Sequence, residues 1–139
     1  MSRTTPLMLQ ISTGDPRPIA KQIVDGVRRA IAAGELQVGE QLPSVRGLAL
    51  QLMINPNTVA KAYGELAAEG WLDARQGLGL YVAAPRQRLS DDERERRLDD
   101  AVQRFVNDVI GLDYPPSAVL ARVRQELAPL TSPAAKKSA

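Results

Sequence analysis

The 139-residue sequence contains no cysteine and no histidine. Without cysteine there is no disulfide scaffold and no thiolate zinc site; without histidine the commonest metal ligand and the usual general base are both missing. Any catalysis would fall to carboxylates, lysine, serine or tyrosine, and no pair of these stands at a spacing that suggests a site. The sequence therefore predicts no catalytic residue and no cofactor. Aromatic residues are scarce too, at one Phe, three Tyr and one Trp. The core must be built from Leu, Val, Ile and Ala, a composition that suits helices. No apolar stretch is long enough to span a membrane, and the run from Leu7 to Ile11 is too short for a signal peptide. A cytoplasmic protein with no membrane partner is expected. Charge of one sign is lacking as well: 18 basic residues face 16 acidic ones, for a net +2. Within residues 1 to 85 the balance is eight basic against seven acidic. A chain so balanced holds a polyanion only if its few cations gather on one face and are doubled by a second subunit.

What is present is a helix-turn-helix pattern from Leu42 to Tyr63. After Pro43, the Ser44 side chain can accept a hydrogen bond from a free N–H of a helix whose apolar residues Val45, Leu48, Ala49 and Leu52 share one face. The turn is Met53-Ile54-Asn55. Asn55 can cap a second helix that has Pro56 at its first position, where a missing N–H costs nothing and φ is preset. That helix should bury Val59, Ala62, Tyr63 and Leu66. Asn57, Thr58 and Lys61 are left facing away from the core near its N-terminal end, the end that a recognition helix pushes into a major groove.

The flanks complete a larger pattern. Residues 1–15 read as an extended arm ending in the turn cluster Gly14-Asp15-Pro16. A first helix should begin near Pro18, with Ile19, Ile23, Val27, Ala30 and Ile31 on one stripe and Gly34 as a left-handed stop. The segment Glu40–Leu42 could form a short strand. After Glu69-Gly70, two short strands, Trp71–Arg75 and Leu80–Ala83, flank the glycine-containing turn Gln76–Gly79. Helix, helix-turn-helix and hairpin, in that order, predict a winged helix over residues 16–84. The glycines of the wing permit close approach to DNA, or merely satisfy positive φ in the turn. They are no dinucleotide fingerprint, because the third glycine and the crossover helix are missing.

Residues 85 onward supply the rest of the architecture. Pro85–Arg88 reads as a linker, and Ser90 to Glu93 fits a capping box with acids in the first turn of a helix. Leu98, Val102, Phe105, Val109 and Leu112 then repeat at four- and three-residue steps as a heptad stripe, with Glu93–Arg97 as a solvated face. Gly111 and Pro115-Pro116 break the chain before a second helix marked by Val119, Leu120, Val123 and Leu127. Residues 129–139, rich in Ala, Pro, Ser and Lys, are expected to be disordered. A hairpin over residues 85–128 cannot enclose its own core, so its apolar stripe predicts a homodimer. A stripe folded back on its own winged helix is the alternative. The expected fold class is thus α+β, mainly α: an N-terminal winged helix-turn-helix with a small C-terminal two-helix dimerisation region.

The stretch Pro18–Val82 resembles the winged-helix DNA-binding domain of the GntR family of transcription regulators. Pro18, Ile19, Gln22, Ile23, Gly34, Leu36, Gly39, Leu42-Pro43-Ser44, Arg46 and Leu48-Ala49 stand in that family's order and spacing. So do Asn55-Pro56-Asn57-Thr58-Val59, Ala62-Tyr63, Glu65-Leu66, Glu69-Gly70, Gly77, Gly79 and Tyr81-Val82. The Asn-Pro-Asn-Thr-Val and Ala-Tyr pairing is similar to the YtrA-like subgroup. Two positions depart from the pattern: Leu78 where many relatives carry a basic wing-tip residue, and Gly64 where a polar or basic one is usual. The resemblance implies a sequence-specific regulator of transcription that binds double-stranded DNA, more often a repressor, in a subgroup that often governs operons for membrane transporters. It implies base or phosphate contacts from Arg46, joined by Ser44, Asn55, Pro56, Asn57 and Thr58 around the recognition-helix start. Lys61 and Tyr63 become backbone-contact candidates, and Arg75 with Gly77 the wing contact. Plainer roles compete: a salt bridge for Arg46, a cap alone for Asn55, core packing for Tyr63, simple solvation for Lys61. The subgroup's short C-terminal helices leave little room for a ligand pocket of the usual ~300–1,000 Å³, and no effector is identified. A winged-helix protein-interaction module without DNA binding of its own is the alternative reading.

Overall fold

A computed structural model describes residues 7, 9, 11–12, 14–84 and 90–137, with side chains as far as Leu130. The expected linker Pro85–Arg88 and the first six residues of the arm lie outside the described residues. The elements are α1 (Ile19–Ala32), α2 (Val45–Leu52), α3 (Pro56–Ala68), β1 (Leu72–Arg75), β2 (Gly79–Val82), α4 (Asp91–Val109), a 3₁₀ turn (Ile110–Leu112) and α5 (Pro116–Lys137). The chain divides into two compact units, 1–84 with 130–139 and 85–129.

Local chemistry accounts for each boundary of the first unit. Helix α1 ends in a Schellman motif: Gly34 takes φ 82°, its N–H reaches the Ile31 carbonyl and the Glu35 N–H reaches that of Ala30. Ser44 Oγ accepts from the Gly47 N–H at 2.9 Å and starts α2. Asn55 Oδ1 accepts from the Asn57 N–H at 2.8 Å and starts α3, with Pro56 at its first position. Helix α3 is central, packed against α1, α2 and β1. Its buried residues are Val59, Ala62, Tyr63 and Leu66, the four expected. They join Ile23, Val24, Val27, Leu36, Leu42, Leu48, Leu72 and Val82 in one core.

The buried face of α1 is broader than its sequence stripe, because the arm lies on it. Leu7 is buried in the core and its carbonyl accepts from Gln51 Nε2 at 2.6 Å. Leu9 sits over Gly26, where an added Cβ would come within 2.6 Å of Leu9 Cδ2. Gln22 is buried, accepting from the Ser12 N–H at 2.9 Å and donating to the Ser12 and Arg17 carbonyls, each at 3.0 Å. The short strand expected at 40–42 is a single bridge, Gln41 to Tyr81, extended by Leu42 N–H to Leu80 O and Val82 N–H to Glu40 O. It lies along the free edge of β2. The wing itself is antiparallel, pairing Leu72 with Val82 and Arg75 with Gly79.

The second unit corrects two expectations. Ser90 caps α4 as expected, its Oγ accepting from the Glu93 N–H at 3.1 Å, and Asp91, Asp92 and Glu93 fill the first turn. Arg94–Asp91 and Arg96–Glu93 pairs line a solvated face. Yet α4 and α5 do not pack along one another as a closed hairpin, and α4 has no buried residue. The 3₁₀ turn and the left-handed Asp113, at φ 63°, redirect the chain before Pro116 can open α5. Among the expected stripe residues only Val109, Val119 and Val123 are partly covered. The second correction is the tail: α5 continues to Lys137, through residues expected to be disordered. Ala and Lys, abundant at 134–137, are strong helix formers. Among the described residues no helix is long and apolar enough to cross a membrane.

Candidate nucleic-acid interface

The surface that matters is where α2 and α3 begin. The turn between them, with Met53 left-handed at φ 57°, brings the start of α3 back beside α2. Arg46 from α2 and Pro56 from α3 line one shallow depression together with Ala49, Leu50, Met53 and Ile54. Asn57 and Lys61 are exposed, four residues apart and so on one face of α3, while Thr58 is half-buried beside them. Gly64 continues that face, with open space where a side chain would be. Ser44 and Asn55 are exposed but committed to their caps. The start of α3 also carries the positive end of the helix dipole, which favours an anion, although the Asn57 and Thr58 N–H groups are already bonded to Asn55.

The near-neutral composition conceals an uneven distribution. Arg17 pairs with Asp15 at 2.9 Å and Asp25 at 2.6 Å, Lys21 with Glu65 at 3.5 Å, and Arg28 with Asp25 at 3.9 Å. The Arg17 hydrogen bonds hold the Asp15 carboxyl below its usual range. Arg46, Lys61 and Arg75, by contrast, have no carboxylate partner among the described residues. The salt bridge weighed for Arg46 is not formed, and Glu40 instead accepts from the Gln37 N–H. These three cations are among the residues for which the family resemblance implies DNA contact.

Tyr63 is the correction. Its hydroxyl donates to the Pro43 carbonyl at 2.9 Å and the residue is buried. Burial raises its pKa above the ordinary tyrosine value. The side chain joins α3 to the start of α2 and is not available to a phosphate; the apolar face on which it falls carried that signal.

On the wing, Gly77 has φ 75° at the third position of a turn closed by Leu78 N–H to Arg75 O at 2.8 Å, where a type II turn requires it. The Arg75 guanidinium lies 4.1 Å from the centre of the Tyr81 ring. Gln41 Nε2 donates to the Leu78 carbonyl at 2.7 Å, tying the wing turn to the loop before α2. Gln41 and Gln22 both carry positioning hydrogen bonds that the sequence does not reveal, since the partner of Gln41 lies on the wing 37 residues away and Gln22, a polar residue on the buried face of α1, bonds to the arm before the helix.

Three helices with a two-stranded wing, a capped helix presented beside an unpaired arginine, and a further cation on the wing define a winged helix-turn-helix DNA-binding module. Residues 19–82 match the model of the family described as bacterial regulatory proteins, gntR family. The chain is 41% identical over 76 residues to the HTH-type transcriptional repressor YtrA of Bacillus subtilis, a match covering 55% of this chain and 58% of YtrA. YtrA from Sulfolobus acidocaldarius, a GntR-family transcription factor of known structure, superposes with a TM-score of 0.60 at 33% identity, over 72% of this chain and 98% of that one. The AraR DNA-binding domain, solved in complex with operator ORX1, superposes with a TM-score of 0.50 at 26% identity over 54% of this chain and 96% of that one. The chain belongs to the GntR family, as a DNA-binding transcriptional regulator of YtrA-like type. The family is one of transcription regulators and not of enzymes.

Proposed function

We propose that the protein is a homodimeric repressor that occupies a pseudo-palindromic operator, with the start of α3 in the major groove and the wing on the flanking backbone. The observation that carries this is the distribution of cations: Arg46, Lys61 and Arg75 lack carboxylate partners, while Arg17, Lys21 and Arg28 are paired. Unpaired cations keep their full attraction for phosphate, and each phosphate neutralised releases condensed counterions. Arg46 and the Asn57 and Thr58 side chains supply base-edge contacts, and Lys61 and Arg75 supply phosphate contacts. What supports dimerisation is α4 and α5, where Leu98, at 62% exposed, Phe105, at 41%, and Leu127, at 50%, leave an apolar surface uncovered. A second copy both covers it and doubles a modest charge. Two-fold symmetry then places half-sites about one helical turn apart, roughly 34–36 Å. We place the regulated operon among those for membrane transport, as the resemblance implies.

The test is selection of genomic fragments by the purified protein, with the best fragment titrated across a salt series. A short inverted repeat bound as a dimer, weakening steeply with salt, is the expected result. A direct repeat or a single half-site bound by a monomer would overturn the dimer-on-palindrome reading. Failure to enrich any fragment would favour a protein-interaction module.

A further inference from the structure

The wing presents a cation seated on a buried aromatic neighbour. Tyr81, on β2, is only 3% exposed despite its position in a two-stranded ribbon, and the Arg75 guanidinium lies over its ring at 4.1 Å. In the ladder Tyr81 pairs with Asp73, so Arg75 is two residues along β1 on the same face, the diagonal distance at which a long side chain reaches an aromatic ring. Arg75 has no carboxylate partner among the described residues, so the ring face is its only described side-chain anchor. The same residues stiffen the turn beyond: Gln41 Nε2 donates to the Leu78 carbonyl at 2.7 Å, and the Tyr81 hydroxyl reaches it at 3.5 Å. A Cβ on Gly79 would stand 3.0 Å from Gln41 Nε2, so that glycine makes room for the tether.

Resting on the DNA-binding reading above, we propose that Tyr81 is a positioning residue for DNA binding: its ring holds the Arg75 guanidinium flat on the wing, with its N–H edge turned outward for a backbone phosphate. An arginine stacked on an aromatic face keeps its in-plane donors free, because the ring attracts the face of the cation and leaves its edge unsatisfied. Held in one rotamer, Arg75 loses less conformational entropy on meeting a phosphate. The wing of this chain has Leu78 rather than a basic residue at its tip, so its cation is supplied from the strand.

The test is a double-mutant cycle of Arg75→Ala and Tyr81→Leu, read on the selected operator across a salt series with the full chain. Arg75→Ala is expected to weaken binding roughly ten-fold and to reduce the slope of log affinity against log salt by about 0.9 per phosphate lost. Tyr81→Leu should lose roughly two- to five-fold, flatten the slope in the same direction, and add nothing once Arg75 is alanine. Tyr81→Phe, which keeps the ring, should bind like the parent. An equal loss from Tyr81→Leu with and without Arg75, or an unchanged salt slope, would assign Tyr81 to fold stability and overturn the proposal. So would parental binding by Arg75→Ala, which leaves the DNA-binding reading intact; no salt-dependent binding by the parent would instead remove that reading itself. If circular dichroism shows that Tyr81→Leu does not fold, Arg75→Lys carries the test, since it keeps the charge and loses the flat stacking surface. It should bind more weakly than the parent, and equal binding overturns the proposal.

Discussion

Arg46 and Lys61 are both exposed cations, and the proposed DNA complex assigns them different work. Arg46 stands one residue inside α2, beside the start of α3, where a guanidinium can present two parallel donors to a guanine edge. Arg46→Ala should cost about 1–3 kcal/mol of operator affinity and relax preference at one base pair. Lys61→Ala should weaken every sequence alike and flatten the salt slope by about 1. Electrophoretic or anisotropy titrations on operator variants separate the two, and an Arg46→Ala protein that bound the operator like the parent would remove the base-reading role. Tyr63, buried and bonded to the Pro43 carbonyl, bears on stability. Its pKa is raised by burial in the folded state, so folding favours the neutral phenol. That contribution is complete below the unfolded value of about 10 and is lost as pH rises beyond it. Thermal melting between pH 9 and pH 11.5 should therefore fall more steeply in the parent than in Tyr63→Phe, and parallel curves would contradict the assignment.

At the scale of elements, the recognition helix carries a weakness at Gly64. The residue is exposed in the interior of α3 with nothing within 4 Å of a built Cβ. Gly64→Ala should stabilise the protein by about 0.5–1 kcal/mol, measured as a higher urea midpoint with unchanged slope. A lower midpoint would mean that the site is less open than its surroundings indicate. Helices α2 and α3 were legible because their signals are local: Ser44 and Asn55 cap within three residues, and Pro56 presets φ. The strand at 40–42 was legible only in part, since a single bridge to Tyr81 depends on where β2 lies. The width of the buried face on α1 was not legible at all, because Leu7 and Leu9 reach it from outside the helix.

The whole molecule is asymmetric in what it covers. The winged helix closes its own core, whereas α4 and α5 leave Leu98, Val102, Phe105, Leu120 and Leu127 exposed. If a second copy covers them, sedimentation equilibrium should show a dimer. Phe105→Glu, which places a charge in the middle of the stripe, should sediment as a monomer at micromolar concentration with its winged helix still folded. A variant that remained dimeric would put the subunit contact elsewhere. The charge distribution also belongs to this scale: in a chain with net charge +2, Arg46, Lys61 and Arg75, without carboxylate partners among the described residues, come from three separate elements of the winged helix.

By itself the sequence determined the order of elements, the caps and the core of α3, because each depends on neighbours a few positions away. Only the tertiary structure decided that Tyr63 is bound to the Pro43 carbonyl, that the arm fills the core through Leu7, and that α4 and α5 leave their apolar residues uncovered. It alone decided which cations have carboxylate neighbours, and it seated Arg75 on Tyr81. Those are contacts between side chains brought together from distant segments. Periodicity marks which face of an element is apolar; what lies against that face depends on the path of the rest of the chain.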